Sequence, residues 1–591
     1  MASNPHPNGT CASQAAGVTT DVVIVGAGPA GASLACFLTS YGIEGIIVEL
    51  NSTSADTPRA QITSMAAMEC LRDIGLDTIL EKLATKGDCM LHTRWAHSMA
   101  GREYARLYSW GNDPKRKGDY ENASPCSPCD LPQTLLEPEL VRYATLNGFS
   151  IRWDTEYTSF EEDRDGVTVR VVDKITKQPY VIVAKYLFGA DGARSRIIRQ
   201  LDLPLEKHPG GGPAINVLVK ADLSHLVKYR MGNLHWIMQP DREHPDFGRM
   251  SIVRMVKPWH EWMFILLPTP GSTLESKPTK EQCLKHDTPA KIIRVNIWNI
   301  NEIVAETYSK GRVFCLGDAV HRHPPFNGLG SNTCIQDAFN LAWKIAYVMQ
   351  RLLTTYSQER QPVGRSVVQR ANDGFRDHRH VWTAIGVTLP TVEGRCVAIK
   401  ELGADTSAGK DRRLRLQAAI AQTSHEFHGL GIEMNQTYKS TAVLPDVGVF
   451  ADSNDKNSDP ILYHIPSTRP GRRLPHTWLN SAIPSGLVST IDLAGKGGFT
   501  LFTGIGGDAW KTAVAKLSSS LDVPIYAFSI GFGQDYEDAY FDWARVRGVE
   551  ESGCLLIRPD RFVAWRCREM QGDVSWAEDS LTRAMKAILS R

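Results

Sequence analysis

The chain has almost no net charge, since 66 basic residues against 65 acidic ones leave +1 over 591 residues. That excludes an overall electrostatic footprint for nucleic acid or an anionic membrane, and points to a small partner. No uninterrupted apolar run reaches the roughly 18 residues a spanning helix needs, and the nearest, Val22 to Leu38, is broken by glycines. Residues 1–19 lack the basic-then-apolar order of a signal peptide and read as a disordered tail. Without such a signal the sequon Asn8-Gly-Thr10 is expected to stay unmodified. The expectation is a soluble, cytoplasmic protein with no membrane and no nucleic acid among its partners. Twelve cysteines without dense regular spacing exclude a disulfide framework. The one CxxC, Cys126-Ser-Pro-Cys129, has no second ligand pair, so no metal site is expected. Internal repeats are absent as well. With 42% hydrophobic and 22% charged residues the composition excludes general disorder, and the length implies two to four domains.

What is present starts at Asp21-Val-Val-Ile-Val-Gly26-Ala-Gly28-Pro29-Ala-Gly31, followed by an apolar helix pattern and a second apolar run, Ile46-Ile-Val-Glu49. The order is strand, glycine turn, helix, strand. Four apolar residues before Gly26 suit a parallel strand buried on both faces, and Pro29 suits a first helical turn. Gly26 allows the tight turn, Gly28 lets a pyrophosphate approach the backbone, and Gly31 lets the helix pack on the strand. Glu49 stands where a carboxylate accepts a ribose 2′-hydroxyl and repels a 2′-phosphate. A dinucleotide is implied, and FAD and NAD both remain open.

Further on, Arg59 follows the second strand and is placed to reach back to a pyrophosphate. Met65, Met68, Leu71 and Ile74 have helical spacing. Residues 111–130 read as a loop excursion, and Gln133 opens a helix with Glu137 near its start. Several apolar runs between about 213 and 300, without intervening helices, predict an antiparallel sheet domain. A second nucleotide-type signature then runs from Arg312 through Gly317-Asp318 and Pro324-Pro325 to Gly328-Leu-Gly330-Ser331-Asn332, and opens a helix. Residues 351 to about 430 read as helical and polar, and the C-terminal part as a small α/β unit.

Gly26 to Gly31, Gly189-Ala-Asp191-Gly192 and Gly317-Asp318, in that order, resemble the single-component FAD-dependent aromatic monooxygenases typified by para-hydroxybenzoate hydroxylase. The run Gly317 to Ala346, with Asp130-Leu-Pro-Gln133 and Arg469-Pro-Gly-Arg-Arg-Leu-Pro-His476, is similar to the phenol and 2,4-dichlorophenol hydroxylase branch. The likeness spans about residues 20–570. It implies an α/β fold whose Rossmann-like FAD-binding domain is assembled from 20–90, 130–200 and 301–360. It also implies an antiparallel-sheet substrate domain (91–129 and 201–300), a helical segment (361–440) and a thioredoxin-like C-terminal domain (441–591). The last has no redox cysteine pair, so a structural or homodimer-contact role is expected for it.

The same resemblance implies site residues. Glu49 would bind the adenosine ribose, and Gly26, Gly28 and Gly31 would flank the pyrophosphate. Arg59 and Gln133 would lie along the pyrophosphate and ribityl chain, and Asp318, beside Gly317, would hold ribityl hydroxyls. Pro325, Gly328, Gly330, Ser331 and Asn332 would run beside the isoalloxazine. Asp191 would belong to the motif associated with both FAD and NADPH. With no second GxGxxG, NADPH (or NADH) would visit without its own Rossmann domain. The implied chemistry is reduction of FAD, addition of O2 at C4a, and transfer of the distal oxygen of a C4a-hydroperoxyflavin to a phenolic or polyketide-type aromatic substrate.

The chain departs from that branch at Gln61, where phenol hydroxylases carry an acidic residue, the usual handler of the substrate's hydroxyl proton. Lowering a phenol's pKa of about 10 by about 3 units needs roughly 4 kcal/mol of preference for the phenolate. His235 and Arg254 are the candidates for that work, with Trp236 and Met238 as walls and Pro325 beside the flavin. The alternatives are a Baeyer–Villiger or epoxidising monooxygenase acting on a fused-ring aromatic, and a non-catalytic flavin-binding protein.

Overall fold

Val22 to Val25 are almost wholly buried because the strand they belong to, Val18–Val25, lies inside a parallel sheet. The computed structural model describes residues 17–269, 278–283, 290–347, 350–446, 459–481, 483 and 485–590. Val18 and Thr19 pair with Ile182 and Val183 in this sheet, so the expected tail of 1–19 is too long at its C-terminal end. Residues 1–16, with the sequon Asn8-Gly-Thr10, lie outside the described residues.

The first sheet runs Ser309–Lys310, Val313–Cys315, Pro179–Gly189, Val18–Val25, Gly45–Val48, Phe149–Arg152, and the last four of these five pairings are parallel. The hairpin Thr155–Glu162 and Val167–Asp173 extends Pro179–Gly189 antiparallel. Helix Pro29–Thr39 packs on both Leu329–Ala346 and Gln133–Leu146, with Phe37 and Phe339 meeting edge to face at 5.0 Å. Pieces far apart in sequence thus share one core.

The second sheet has the order His321–Arg322, Lys291–Ala305, Leu205–Lys220, Glu261–Leu267, Met250–Lys257, Leu234–Ile237, His92–Ala96, Glu103–Tyr108. It is not wholly antiparallel as expected, because Leu234–Ile237 and His92–Ala96 run parallel. Its longest pairing joins Leu205–Lys220 to Lys291–Ala305, a strand that crosses the expected domain border at 300. The excursion at 111–130 is not all loop, since Lys117–Ala123 is helical.

One helix of 36 residues, Gln350–Ile385, crosses the expected border at 360 and carries its C-terminal half beneath this sheet. Val392–Leu402 and Ser407–Gln422 follow it. In the C-terminal region Phe499–Thr503 pairs parallel with Ile525–Ser529 and antiparallel with Cys554–Ile557, which pairs with Val563–Cys567. Helices Asp508–Leu521 and Val574–Ile588 pack together on this sheet, a thioredoxin-like layout.

The C-terminal sheet is fixed to the rest by buried ion pairs. Glu69 meets Arg473 at 2.7 Å, and Asp73 meets Arg561 at 2.8 Å. Glu359 accepts from Lys344 Nζ at 2.7 Å and from Arg558 Nη1 at 2.6 Å, while Arg558 also bonds Asp560. Among the described residues no helix is long and apolar enough to cross a membrane.

Candidate active site

The three glycines of the first turn answer to three different neighbours. Gly26 has φ +107°, and a Cβ there would stand 2.3 Å from the carbonyl oxygen of Ala190. At Gly31 a Cβ would stand 2.0 Å from the carbonyl oxygen of Gly26. At Gly28 it would meet only Glu137 Oε1, at 3.8 Å. The protein's own packing therefore requires the first and third, while the second keeps an open approach to the backbone. Helix Pro29–Thr39 starts there with no side-chain cap and no acid in its first turn, whereas Ser64, Thr391 and Thr406 cap other helices. Bare N–H groups at a helix start suit an anionic ligand.

Glu49 follows the strand Gly45–Val48, accepting from Ala27 N–H at 2.8 Å through Oε2 and from Asn51 through Oε1. Arg59 is exposed, and no hydrogen bond or ion pair engages its guanidinium among the described residues. Gln133 donates its side-chain amide to Glu137, which also accepts from Ala55 N–H at 2.6 Å. Burial pushes the Glu137 carboxyl up. Its place beside Gly28 was not read from sequence, although the i,i+4 spacing from Gln133 was there to be used.

At the other strand end, Gly317 packs against the first helix, where a Cβ would lie 2.9 Å from Ala30 Cβ and from Cys334 Sγ. Asp318 follows the strand Val313–Cys315 and is exposed, its carboxylate unpaired among the described residues. Helix Leu329–Ala346 also starts without a side-chain cap or an early acid, after Gly328 in the left-handed region. Gly330 is open, with His323 the nearest group at 3.8 Å, and Ser331 is buried.

Two expected flavin contacts are engaged by the protein itself. Asn332 accepts from Ser64 N–H and donates to the carbonyls of Ile62 and Gly328, so its amide clamps the helix start. Asp191 Oδ2 accepts from the N–H groups of Arg196 and Ile197, which caps a helix, while its Oδ1 is buried without a partner.

The turn beyond Asp318 has two sides. Pro325 is exposed and Phe326 is buried among aromatic rings. Trp236 stacks on His378 with centroids 4.0 Å apart, and Phe326 lies 6.2 Å from Trp236 and 5.5 Å from Phe375. Trp95, Trp382, Met238 and Phe427 belong to the same cluster. Inside it the indole nitrogens of Trp95, Trp110, Trp236 and Trp382, with His378 Nδ1, are buried without hydrogen-bond partners. His378 Nε2 is 2.7 Å from Glu426 Oε2. Asn327 donates to the backbone carbonyls of His425 and Glu426, which ties that segment to the turn.

His235 and Arg254 are not placed as expected. Alternate strand residues face opposite ways, and Trp236 pairs with Ile252 and Trp95 on the aromatic face, while His235 pairs with Val253 and Arg94 on the other. His235 Nδ1 lies 3.4 Å from Arg94 Nη1, and burial with that cation pushes its pKa down to about 3, so the ring is neutral at pH 7. Arg254 lies at the edge of the aromatic face, paired with Asp130 at 2.9 Å and donating to the carbonyl of Asn233. Gln61 is buried with Oε1 unpartnered. Cys126 and Cys129 are buried thiols, the second pushed up to about 12 by burial.

The donor set fits FAD. It combines an open glycine and bare helix N–H groups for the pyrophosphate with the carboxylates Glu49 and Asp318 at two strand ends for the sugar and ribityl hydroxyls. Residues 19–371 match the family described as "FAD binding domain", and 467–591 match "Aromatic-ring hydroxylase, C-terminal". The chain is 42% identical to 2,4-dichlorophenol 6-monooxygenase of Cupriavidus pinatubonensis (strain JMP 134 / LMG 1197), over 97% of each chain. It is 40% identical to phenol 2-monooxygenase of Pseudomonas sp. (strain EST1001), over 94% of this chain and 91% of that one. The crystal structure of the flavin-dependent monooxygenase PieE with FAD and substrate superposes with a TM-score of 0.89 at 36% identity, covering 97% of this chain and 99% of that one. With glycine turns, fold and near full-length likeness all in agreement, the chain belongs to the FAD-binding aromatic-ring hydroxylases.

Proposed function

We propose that this protein uses FAD, NAD(P)H and O2 to hydroxylate a phenolic ring beside an existing hydroxyl. The carrying observation is the turn at 324–328, with Asp318 and the bare helix start at Leu329 on one side and Phe326, in the aromatic cluster, on the other. When bound, FAD supplies electron transfer from NAD(P)H and the activation of O2. The chain's part is placement. The first helix and Gly28 would hold the pyrophosphate, Glu49 the ribose and Asp318 the ribityl hydroxyls. The positive end of the Leu329–Ala346 dipole would favour negative charge on the group bound above it. The aromatic cluster holds the substrate ring away from water, and the unpartnered indole N–H groups suit an oxygen-bearing ring.

The relatives named above act on phenols, which favours a phenol over a fused-ring polyketide. No observation favours the Baeyer–Villiger alternative. The test is incubation with phenol or 2,4-dichlorophenol under isotopically labelled O2, with product mass and NAD(P)H consumption followed together. One labelled oxygen in a catechol-type product is expected, and a product without label overturns the reading. Asp318→Ala should release FAD, since each charge-assisted bond lost costs about 1.5 to 3 kcal/mol.

A further inference from the structure

We propose that His378, held by Glu426, takes the hydroxyl proton of the substrate phenol. This rests on the aromatic cluster being the substrate site. The residue expected at that task elsewhere in the branch is replaced here by Gln61, an amide that does not accept a proton at neutral pH. The two groups expected to help are engaged or misplaced, with His235 on the far face and Arg254 paired with Asp130. His378 is different in kind. Its side chain is fully buried, stacked on Trp236 and within ring contact of Phe326, the residue that follows Pro325. Its Nε2 meets a carboxylate at 2.7 Å, and its Nδ1 is buried with no partner.

A carboxylate facing Nε2 fixes the proton there and leaves the Nδ1 lone pair free to accept. The step balances simply. The phenol O–H bond breaks, the proton moves to Nδ1, and the electron pair stays on oxygen, where it raises electron density at the ring carbon next to it. The imidazolium that forms is stabilised by Glu426, which acts as a positioning residue. The segment bearing Glu426 is tied to the flavin-side turn through Asn327, so the dyad and the turn are registered by hydrogen bonds.

Among the described residues Glu426 is the one ionisable group bonded to the His378 ring. Of the charged groups on the elements packed around it, Arg379 and His380, next to it on the helix, are exposed to solvent, and the more buried ones are paired. Arg370 pairs with Asp377 on the same helix, His425 pairs with Asp459 next to Glu426, and Arg94 pairs with Glu103 behind the sheet. His428, two residues past Glu426, is buried, and burial pushes its pKa down to about 4, which keeps it neutral. Trp236, Trp95 and Phe326 flank the ring without charge.

The test uses the full-length FAD-loaded enzyme, with 4-nitrophenol as an ionisation probe and phenol as substrate. In the wild type the bound probe should become phenolate at lower pH than it does free in solution. His378→Gln should bind the probe within about threefold of wild type, retain FAD, and lose that shift. Its phenol hydroxylation should fall about 100-fold at pH 7, in the range for loss of a general base. The rate should recover as pH rises toward the phenol's own pKa of about 10. Glu426→Gln, the milder variant, should give a smaller loss with the same recovery. A uniform loss at all pH values, or an unchanged ionisation profile in either variant, overturns the dyad's role while leaving the substrate site in place. If the wild type binds the probe and Trp236→Ala does not weaken that binding, the substrate-site reading falls, and this proposal with it.

Discussion

Glu359→Gln removes one charge from a group in which every member is buried. The group has two cations, Lys344 and Arg558, and two anions, Glu359 and Asp560, and Glu359 also accepts from Asn340 and Ser440. The amide keeps the shape and leaves a net buried charge of +1. Breaking a buried pair by removing one partner costs about 3 to 5 kcal/mol, most of it the uncompensated charge that stays behind. Burial alone would raise the Glu359 carboxyl, yet Arg558 and Lys344 hold it far below the usual carboxylate range. Its contribution is therefore fully present above an unfolded pKa of about 4.3, and is lost as pH falls through the folded value. The variant's deficit should accordingly be largest at neutral pH and shrink below about pH 4. Urea unfolding and limited proteolysis of the FAD-loaded protein would measure it, with the C-terminal domain released first because Arg558 and Asp560 belong to it. Adding Lys344→Met restores neutrality and should recover more than half of the loss. The reasoning fails if Glu359→Gln lies within about 1 kcal/mol of wild type, or if the second substitution deepens the deficit.

Gly28→Ala should fold with wild-type stability and lose FAD affinity about tenfold or more, because its Cβ meets the ligand's approach and no protein atom closer than 3.8 Å. Gly31→Ala should lose about 1 to 3 kcal/mol of stability through its clash with the Gly26 carbonyl. His235, neutral in the fold down to about pH 3, should make stability fall as pH drops from about 6.5 toward 3, because the unfolded chain binds a proton there and the folded one does not. At about 1.36 kcal/mol per unit the limit is roughly 5 kcal/mol, and His235→Gln should flatten this acid limb in a thermal scan. Elemental analysis should find no stoichiometric zinc, and changing Cys126 and Cys129 to Ser should leave the metal content as it was.

Glycine turns are legible in the sequence because their spacing is local, as in the Gly31 contact with the Gly26 carbonyl, although Gly26 and Gly317 also answer to Ala190 and Ala30, which no local pattern reveals. The bonds of the Asn332 side chain are not legible in the sequence because its partners, Ser64 and Ile62, lie some 270 positions earlier in the chain. His235 was misassigned because one residue of strand register decides which face it takes, and the hydrophobic run around it reads the same either way. The stretch from 351 onward reads as helical and polar, and it is helical, but its polar composition does not say which polar residues are buried. Glu359, Arg360 and His378 are polar residues buried against partners that no local pattern reveals. The strand Lys291–Ala305 was unmarked because it alternates too irregularly for a period of two.

The 36-residue helix Gln350–Ile385 acts as a lever. Glu359, near one end, is locked to the C-terminal domain, and His378, near the other, stands in the aromatic cluster. The 19 intervening steps span about 28 Å at 1.5 Å per residue. A tilt of about 5° at the Glu359 end would carry the imidazole by about 2.5 Å, most of a hydrogen-bond length. A thioredoxin-like domain without a redox cysteine pair thus gains a mechanical task, which is to hold the far end of the rod still so that the aromatic cluster keeps its shape.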